Sequence, residues 1–214
     1  RQLAWALACL GRTHLIRDEL DEAEEALTAA RRLTEAERWT TFIPFPEALL
    51  AEVWIRRGRL DLADEAFQPA CALGCSGDDA CWEAYSVGGV GLLRAARGDL
   101  DGSIELMEDA LTRCRRQRDT HRWILAYVMD ALCAIATSAK HPRAAAWITD
   151  LASLAGRSGM QEFSVHAYLD RRDLGDHEAL DAARTLAIDV ENPRLRYQLD
   201  GEGRSILDDL LGVT

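Results

Sequence analysis

The segment Arg17-Asp18-Glu19-Leu20-Asp21 recurs as Arg57-Gly58-Arg59-Leu60-Asp61 and again as Arg97-Gly98-Asp99-Leu100-Asp101, each copy forty residues after the last. A fixed period constrains this chain more than any other feature, because self-similarity at about 20–50 residues marks an array of like supersecondary units. In the same register Ala23, Ala63 and Ser103 follow each turn, then Leu27, Phe67 and Met107, then Ala30, Ala70 and Ala110. Upstream of each turn stand Leu10, Leu50 and Val90, followed by Gly11, Ala51 and Gly91.

Small residues alternating with large apolar ones at helical spacing, on both sides of a tight turn, predict two antiparallel helices. The small residues let the backbones approach and the large ones fill the seam. Asp18, Gly58 or Gly98 tolerates the left-handed backbone that stops the first helix, and Asp21, Asp61 or Asp101 is spaced to cap the second. One hairpin cannot bury both of its faces, whereas stacked hairpins can, which gives an α-solenoid with one concave and one convex wall.

After residue 118 the pattern weakens but continues. Trp123 to Ser138 and Arg143 to Leu154 read as a fourth hairpin, and Gln161 to Arg172 and His177 to Ile188 as a fifth that turns near Gly175 and ends at Asn192-Pro193. The expected organisation is all-α, with about five hairpins at 3–37, 46–76, 80–117, 121–156 and 160–189 filling a region 1–190. Residues 191–214 form a cap or linker, in which Ser205 and Asp208 are spaced as a helix start before Ile206 to Leu211; a short capping helix over the last hairpin is the favoured reading.

On these residues the chain resembles the tetratricopeptide repeat (TPR) family. Gly11 or Gly91, the turn at Gly58 or Gly98, Ala23 or Ala63, and Leu27 or Phe67 stand in that family's order. The period departs from the family's shorter one, and the aromatic expected three residues after the small residue is His14, Trp54 and Arg94. The extra residues fall in connections such as Arg38 to Pro46. Stretches such as Arg17 to Leu27, and Gly159-Met160-Gln161-Glu162-Phe163 leading to Leu174-Gly175-Asp176, also resemble the helical-repeat region of large bacterial ATPase transcription regulators of the LuxR-type and antibiotic-regulatory classes. That resemblance implies a repeat or sensor domain attached to a nucleotide-binding switch and a DNA-binding module, neither of which is visible in these residues.

Composition excludes several functions. Asp plus Glu number 36 against 25 Lys plus Arg, for a formal net charge of -11. A phosphate backbone or an anionic membrane requires a cationic surface, so no direct nucleic-acid or membrane partner is expected. The single lysine, Lys140, lies between Ala139 and His141 and cannot serve a P-loop. No stretch is apolar for the length of a bilayer span, and Leu3 to Leu10, which imitates the apolar core of a signal peptide, is short and fits the repeat. The cysteines Cys9, Cys71, Cys75, Cys81, Cys114 and Cys133 are scattered as buried residues of a reducing compartment would be, which points to a cytoplasmic setting and implies no disulfide. Arg1 in place of an initiating Met reads as a segment of a longer protein.

The functional hint is an aromatic stripe. Trp5, Phe45 and Tyr85 share the register, continued loosely by Tyr127 and Phe163, and one turn on stand Ala8, Ala48 and Gly88. In TPR arrays such positions line the concave groove, which implies aromatic walls over a small-residue floor suited to an apolar helix or a flat ligand; the alternative is that the aromatics pack between hairpins. The family's carboxylate clamp needs Lys and Asn where this chain has Ala8, Arg12, Ala48, Glu52, Gly88 and Leu92, so only Arg12 fits it. Candidate groove residues are therefore Trp5, Ala8, Arg12, Phe45, Ala48, Glu52, Tyr85, Gly88 and Tyr127.

Other constellations read as structural. Cys71, Cys75 and Cys81 would need Cys114 or His121 from another helix to complete a zinc site, and no metal or cofactor is assigned. Gly88-Gly89-Val90-Gly91 follows no strand and reads as close helix packing. Paired carboxylates such as Asp18-Glu19, Glu24-Glu25, Asp78-Asp79 and Asp208-Asp209 suit solvated faces and helix starts, and no acid–base or serine-hydrolase pattern stands out. The expectation is a non-catalytic module, no enzyme, that binds a protein segment of its parent chain or a partner in its groove, with homo-oligomerisation open to it. The alternative is a sensor for a small-molecule inducer that controls a parent ATPase.

Overall fold

The left-handed backbone predicted at the repeated turns is present, with φ of 64° at Asp18, 68° at Gly58 and 87° at Gly98. Each turn ends one helix and starts another: α1 (Gln2–Ile16) and α2 (Leu20–Ala36), α3 (Pro44–Arg56) and α4 (Leu60–Ser76), α5 (Ala80–Ala96) and α6 (Leu100–Cys114). They are followed by α7 (Arg122–Ser138), α8 (Ala144–Ser158), α9 (Gln161–Asp173), α10 (Ala179–Ala187), α11 (Pro193–Asp200) and α12 (Ile206–Leu211). The structure, a computed structural model, describes residues 1–76, 80–116, 121–200 and 205–212, apart from the side chains of Cys75 and Ser76. The Asp78-Asp79 pair, the expected repeat boundary at residue 117 and the side chain of Cys75 lie outside the described residues. Among those described the chain is all-helical with no strand, and no helix is long and apolar enough to cross a membrane.

Close approach explains the repeated small residues. A Cβ on Gly11 would fall 2.5 Å from Leu27 Cγ, one on Gly89 2.1 Å from Phe67 Cε1, and one on Gly91 3.0 Å from Met107 Cε. The close helix packing read from the glycines of α5 is present, tightest at Gly89 against Phe67 of α4. Two local expectations are corrected. Asp21, Asp61 and Asp101 sit inside the first helical turn rather than at the cap, where they suit the helix dipole; the third turn is instead capped by Asp99, which accepts from the Gly102 N–H at 3.0 Å. The Arg38–Pro46 connection is a 3-10 turn, Thr40–Phe42, and both of its prolines belong to the first turn of α3, where a missing N–H costs nothing.

The odd-numbered helices touch in succession, α1 to α3, α3 to α5, α5 to α7 and α7 to α9, while each even-numbered helix through α8 packs against its two sequence neighbours. The turn arginines repeat the same ion pairs across neighbouring units. Arg57 meets Asp21 and Glu24, and forty residues on Arg97 meets Asp61 and Asp64. The first of the series, Arg17, donates instead to the Glu191 carbonyl at 3.1 Å, and Asn192 Nδ2 lies 3.4 Å from the Ile16 carbonyl. The far end of the chain therefore returns to its first turn.

The C-terminal segment departs most from expectation. Pro193 begins a further helix, α11, inside the segment expected as a cap or linker. The capping box of Ser205 and Asp208 is present, but the helix it starts, α12, lies against α3, α7 and α9 rather than over the last hairpin alone. Ile206, Leu207 and Leu210 are buried there. Gly212 closes α12 with a φ of 68°, and a Cβ on it would meet the Arg56 carbonyl oxygen at 2.1 Å.

Candidate functional site

The predicted stripe forms one aromatic series along the odd-numbered helices. Trp5 stacks on Phe42 with centroids 5.2 Å apart, Phe42 meets Phe45 at 5.6 Å, Phe45 meets Tyr85 at 6.4 Å, and Tyr85 meets Tyr127 at 5.7 Å. Trp82 and Trp123, absent from the predicted stripe, join it at 4.5 Å from Phe45 and 5.8 Å from Tyr85. The expected groove lining divides accordingly. Phe45 and Tyr85 are 2% exposed, and Ala8 and Ala48 are closed to solvent, so packing between helices describes these four. Gly88 is likewise buried, with Val128 3.2 Å from where its Cβ would lie. Trp5 is 46% exposed, and Arg12 and Tyr127 are half-buried.

Beneath this series lies a buried polar assembly. Glu52, on the last turns of α3, is closed off by its neighbours and accepts a hydrogen bond from the Tyr127 hydroxyl at 2.5 Å, with the Tyr85 hydroxyl as a second donor. Burial pushes the Glu52 carboxyl up, opposed by these hydrogen bonds and by the Arg56 and Arg12 charges. Both tyrosines are raised well above the ordinary phenol value, first by burial and then by the Glu52 charge. The guanidinium of Arg12 lies over the Trp123 ring at 4.0 Å from its centroid, a favourable cation–π position.

A cavity of about 70 Å³ opens beside this assembly, lined by α1 through Arg12 and Ile16, α3 through Arg56, and α7 through Tyr127 and Asp130. Glu162, Phe163 and His166 of α9, Arg194 of α11 and Leu210 of α12 complete it. At about 10–15 Å³ for one water centre, it holds a few waters or a small molecule. A wider, open cleft of about 440 Å³ continues from it past Arg12 and Phe163 to Trp123 and Val190.

The wall residues are held from behind. Asp130 lies 3.0 Å from His166 Nδ1; burial alone would lower the His166 value, but the Asp130 charge and hydrogen bond outweigh it and raise it. Arg56 donates to the Leu15 carbonyl at 2.7 Å and lies 3.5 Å from Asp18. Glu162 accepts from Asn192 at 2.7 Å. Arg194 is pushed down to about 10 by burial and by the Arg56 charge, against the Asp209 and Asp18 carboxylates, and its Nη2 has no hydrogen-bond partner among the described residues.

Sequence reasoning singled out Arg12, Glu52 and Tyr127, which meet here, but missed Arg56, Asp130, His166 and Arg194. One signal was available. The apolar position occupied by Leu10, Leu50 and Val90 becomes Asp130 and then Asp170 when the forty-residue register is continued, and both aspartates are buried. Among the described residues Asp170 has no hydrogen-bond partner on either oxygen, and burial followed by the Asp130 charge raises it well above the usual carboxylate range.

Cys81 and Cys114 are buried, and the His121 backbone N–H points at Cys81 Sγ from 3.4 Å. Among the described residues no group of three or more His, Cys, Asp or Glu is arranged to hold a metal ion. Comparison with known proteins assigns no family to the arrangement: no protein-family model matches the chain, and no curated protein matches it.

Proposed function

We propose that the chain is a TPR-like α-solenoid of about five hairpins that works as a non-catalytic, helix-binding module, with its inner wall engaged by its own C-terminal helix. The observation that carries this reading is the seating of α12 on α3, α7 and α9, with Ile206, Leu207 and Leu210 buried. An amphipathic helix laid into a groove formed by other helices is a recurring recognition mode. The repeated ion pairs of Arg57 and Arg97 with the preceding unit support nearest-neighbour stacking of the kind a solenoid requires. A partner helix of the same apolar pattern would compete with α12 for the wall. In a regulatory protein of the kind the sequence resembles, that exchange would transmit a signal to the rest of the parent chain.

The test uses the full chain carrying Leu207→Asp and Leu210→Asp, which removes two of the three buried apolar anchors of α12. The variant is expected to keep its helical circular dichroism and to bind a fluorescent peptide spanning residues 201–214 saturably, while the unmodified chain binds it at least tenfold more weakly. A folded variant with no affinity for the peptide contradicts the reading.

A second reading, a sensor for a small molecule, is favoured by the cavity under α12. Its walls come from six helices, so a ligand there would favour one arrangement of those helices over another.

A further inference from the structure

The cavity brings three guanidinium groups into the interior of an acidic chain. Arg12, Arg56 and Arg194 come from α1, α3 and α11 and line the same space. The carboxylates around them are largely engaged elsewhere: Asp130 with His166, Glu162 with Asn192, and Glu52 with Tyr127. Asp18 is more than half exposed at 3.5 Å from Arg56, and Asp209 is the acidic neighbour of Arg194 on α12. Arg194 nevertheless retains a buried Nη2 with no hydrogen-bond partner among the described residues. An unsatisfied buried donor of a charged group costs more than the gain from an ordinary hydrogen bond, so the site has an unmet demand for an acceptor. The apolar part of the lining is Ile16, Phe163 and Leu210, and Phe163 also lines the open cleft that reaches Trp123.

We propose that this cavity binds a small amphipathic organic anion, with a carboxylate or phosphate head held by Arg56 and Arg194 and an apolar end lying along Phe163 toward Trp123. A planar oxyanion matches the fork of a guanidinium, which is why arginine recurs at such sites. The ring of Trp123 and the guanidinium stacked on it form the wall past which the apolar end leaves the cavity. Leu210 and Arg194 belong to the segment that returns across the inner wall, so an occupied site ties that segment to α1, α3 and α9. The inference rests on the small-molecule reading, and because Leu210 is part of the lining the complete site requires α12 in place.

The test titrates the full chain by calorimetry with phenylacetate and phenyl phosphate. Acetate and inorganic phosphate serve as controls without the apolar end, and benzyl alcohol as the control without the charge. One phenyl anion is expected to bind at one per chain, at least tenfold tighter than its tail-less counterpart and than benzyl alcohol; whichever binds tighter identifies the head. Arg194→Gln should weaken it at least tenfold, with Arg194→Lys recovering part of the loss. Phe163→Ala should bring it down to the affinity of the tail-less ion and provides the test should Arg194→Gln fail to fold. Absence of saturable binding by either phenyl anion overturns the proposal, as does equal affinity in the folded Arg194→Gln variant. Hydrogen exchange of α12 separates the two levels. Binding that leaves that exchange unchanged refutes the sensor reading while keeping the anion site, and slowed exchange with benzyl alcohol bound as tightly as the anions refutes the anionic head while keeping the sensor.

Discussion

The small residues of the repeat make a prediction in which one substitution has opposite signs at two places. A Cβ on Gly89 would lie 2.1 Å from Cε1 and 2.4 Å from Cζ of Phe67. Non-bonded carbons settle about 3.5–4.0 Å apart, so ring and helix must separate by more than about 1 Å. Phe67 is 1% exposed, so its ring moves at the expense of close-packed neighbours. Overpacking costs about 1–3 kcal/mol, and a contact this short belongs in the upper half of that range. Alanine returns about 1 kcal/mol through its better helix propensity. Gly89→Ala is therefore expected to lose about 1–2 kcal/mol, which lowers Tm by about 2–8 °C for a chain of this size. Gly156, in α8, is exposed and has nothing within 4 Å of its would-be Cβ, so Gly156→Ala should gain about 0.5–1 kcal/mol. Urea denaturation followed by circular dichroism measures both. Adding Phe67→Leu should recover part of the Gly89→Ala loss, and the coupling appears in a double-mutant cycle. Equal shifts of one sign in the two glycine variants, or a Phe67→Leu effect that is the same in both backgrounds, would refute the packing argument.

Three further outcomes follow from the buried groups. Asp170 is raised, so the folded chain holds a proton that the unfolded chain releases above the ordinary carboxylate value of 3.8. Stability is therefore lost as pH rises from that value toward the folded one, at about 1.4 kcal/mol per pH unit, and Asp170→Asn should raise Tm by an amount that grows with pH; a pH-independent effect would contradict the assignment. His166 is also raised, so its pairing with Asp130 stabilises the fold fully below about pH 6.5 and less as pH rises through the folded value, and NMR titration of the ring against its value in the Asp130→Asn variant reads this directly. Phe45→Ala should cost about 3–5 kcal/mol, while Trp5→Ala, at a ring 46% exposed, should cost clearly less; comparable losses would mean that the aromatic series is buried throughout.

The legible parts of this structure are those fixed by neighbours in sequence. Asp18, Gly58 and Gly98 reveal the turns because few residue types accept positive φ, and the periodic spacing of Leu27, Phe67 and Met107 reveals the helices they seal. Ser205 and Asp208 reveal the start of α12 because a capping box is local. The destination of that helix is another matter, since its contacts with α3 and α7 join residues that no spacing relates. The cavity is non-local in the same way: Arg56 and Arg194 line it together, and Arg17 and Asn192 join the end of the chain to its beginning. Phe45 and Tyr85 were visible as a stripe, but whether a first-turn aromatic faces a groove or a neighbouring helix depends on the stacking angle between units, which periodicity does not encode.

The central claim is that the inner wall holds the chain's own C-terminal helix. α12 has six residues, and a free helix that short has negligible protection in water. Amide hydrogen exchange of the full chain, resolved by NMR, therefore isolates the contribution of packing. The account predicts that the Leu210 and Leu211 amides exchange far more slowly than the free-peptide rate, and that Leu207→Asp with Leu210→Asp returns the Leu211 amide to that rate while the amides of α5 and α7 stay protected. Exchange of both amides at the free rate in the unmodified chain would contradict it.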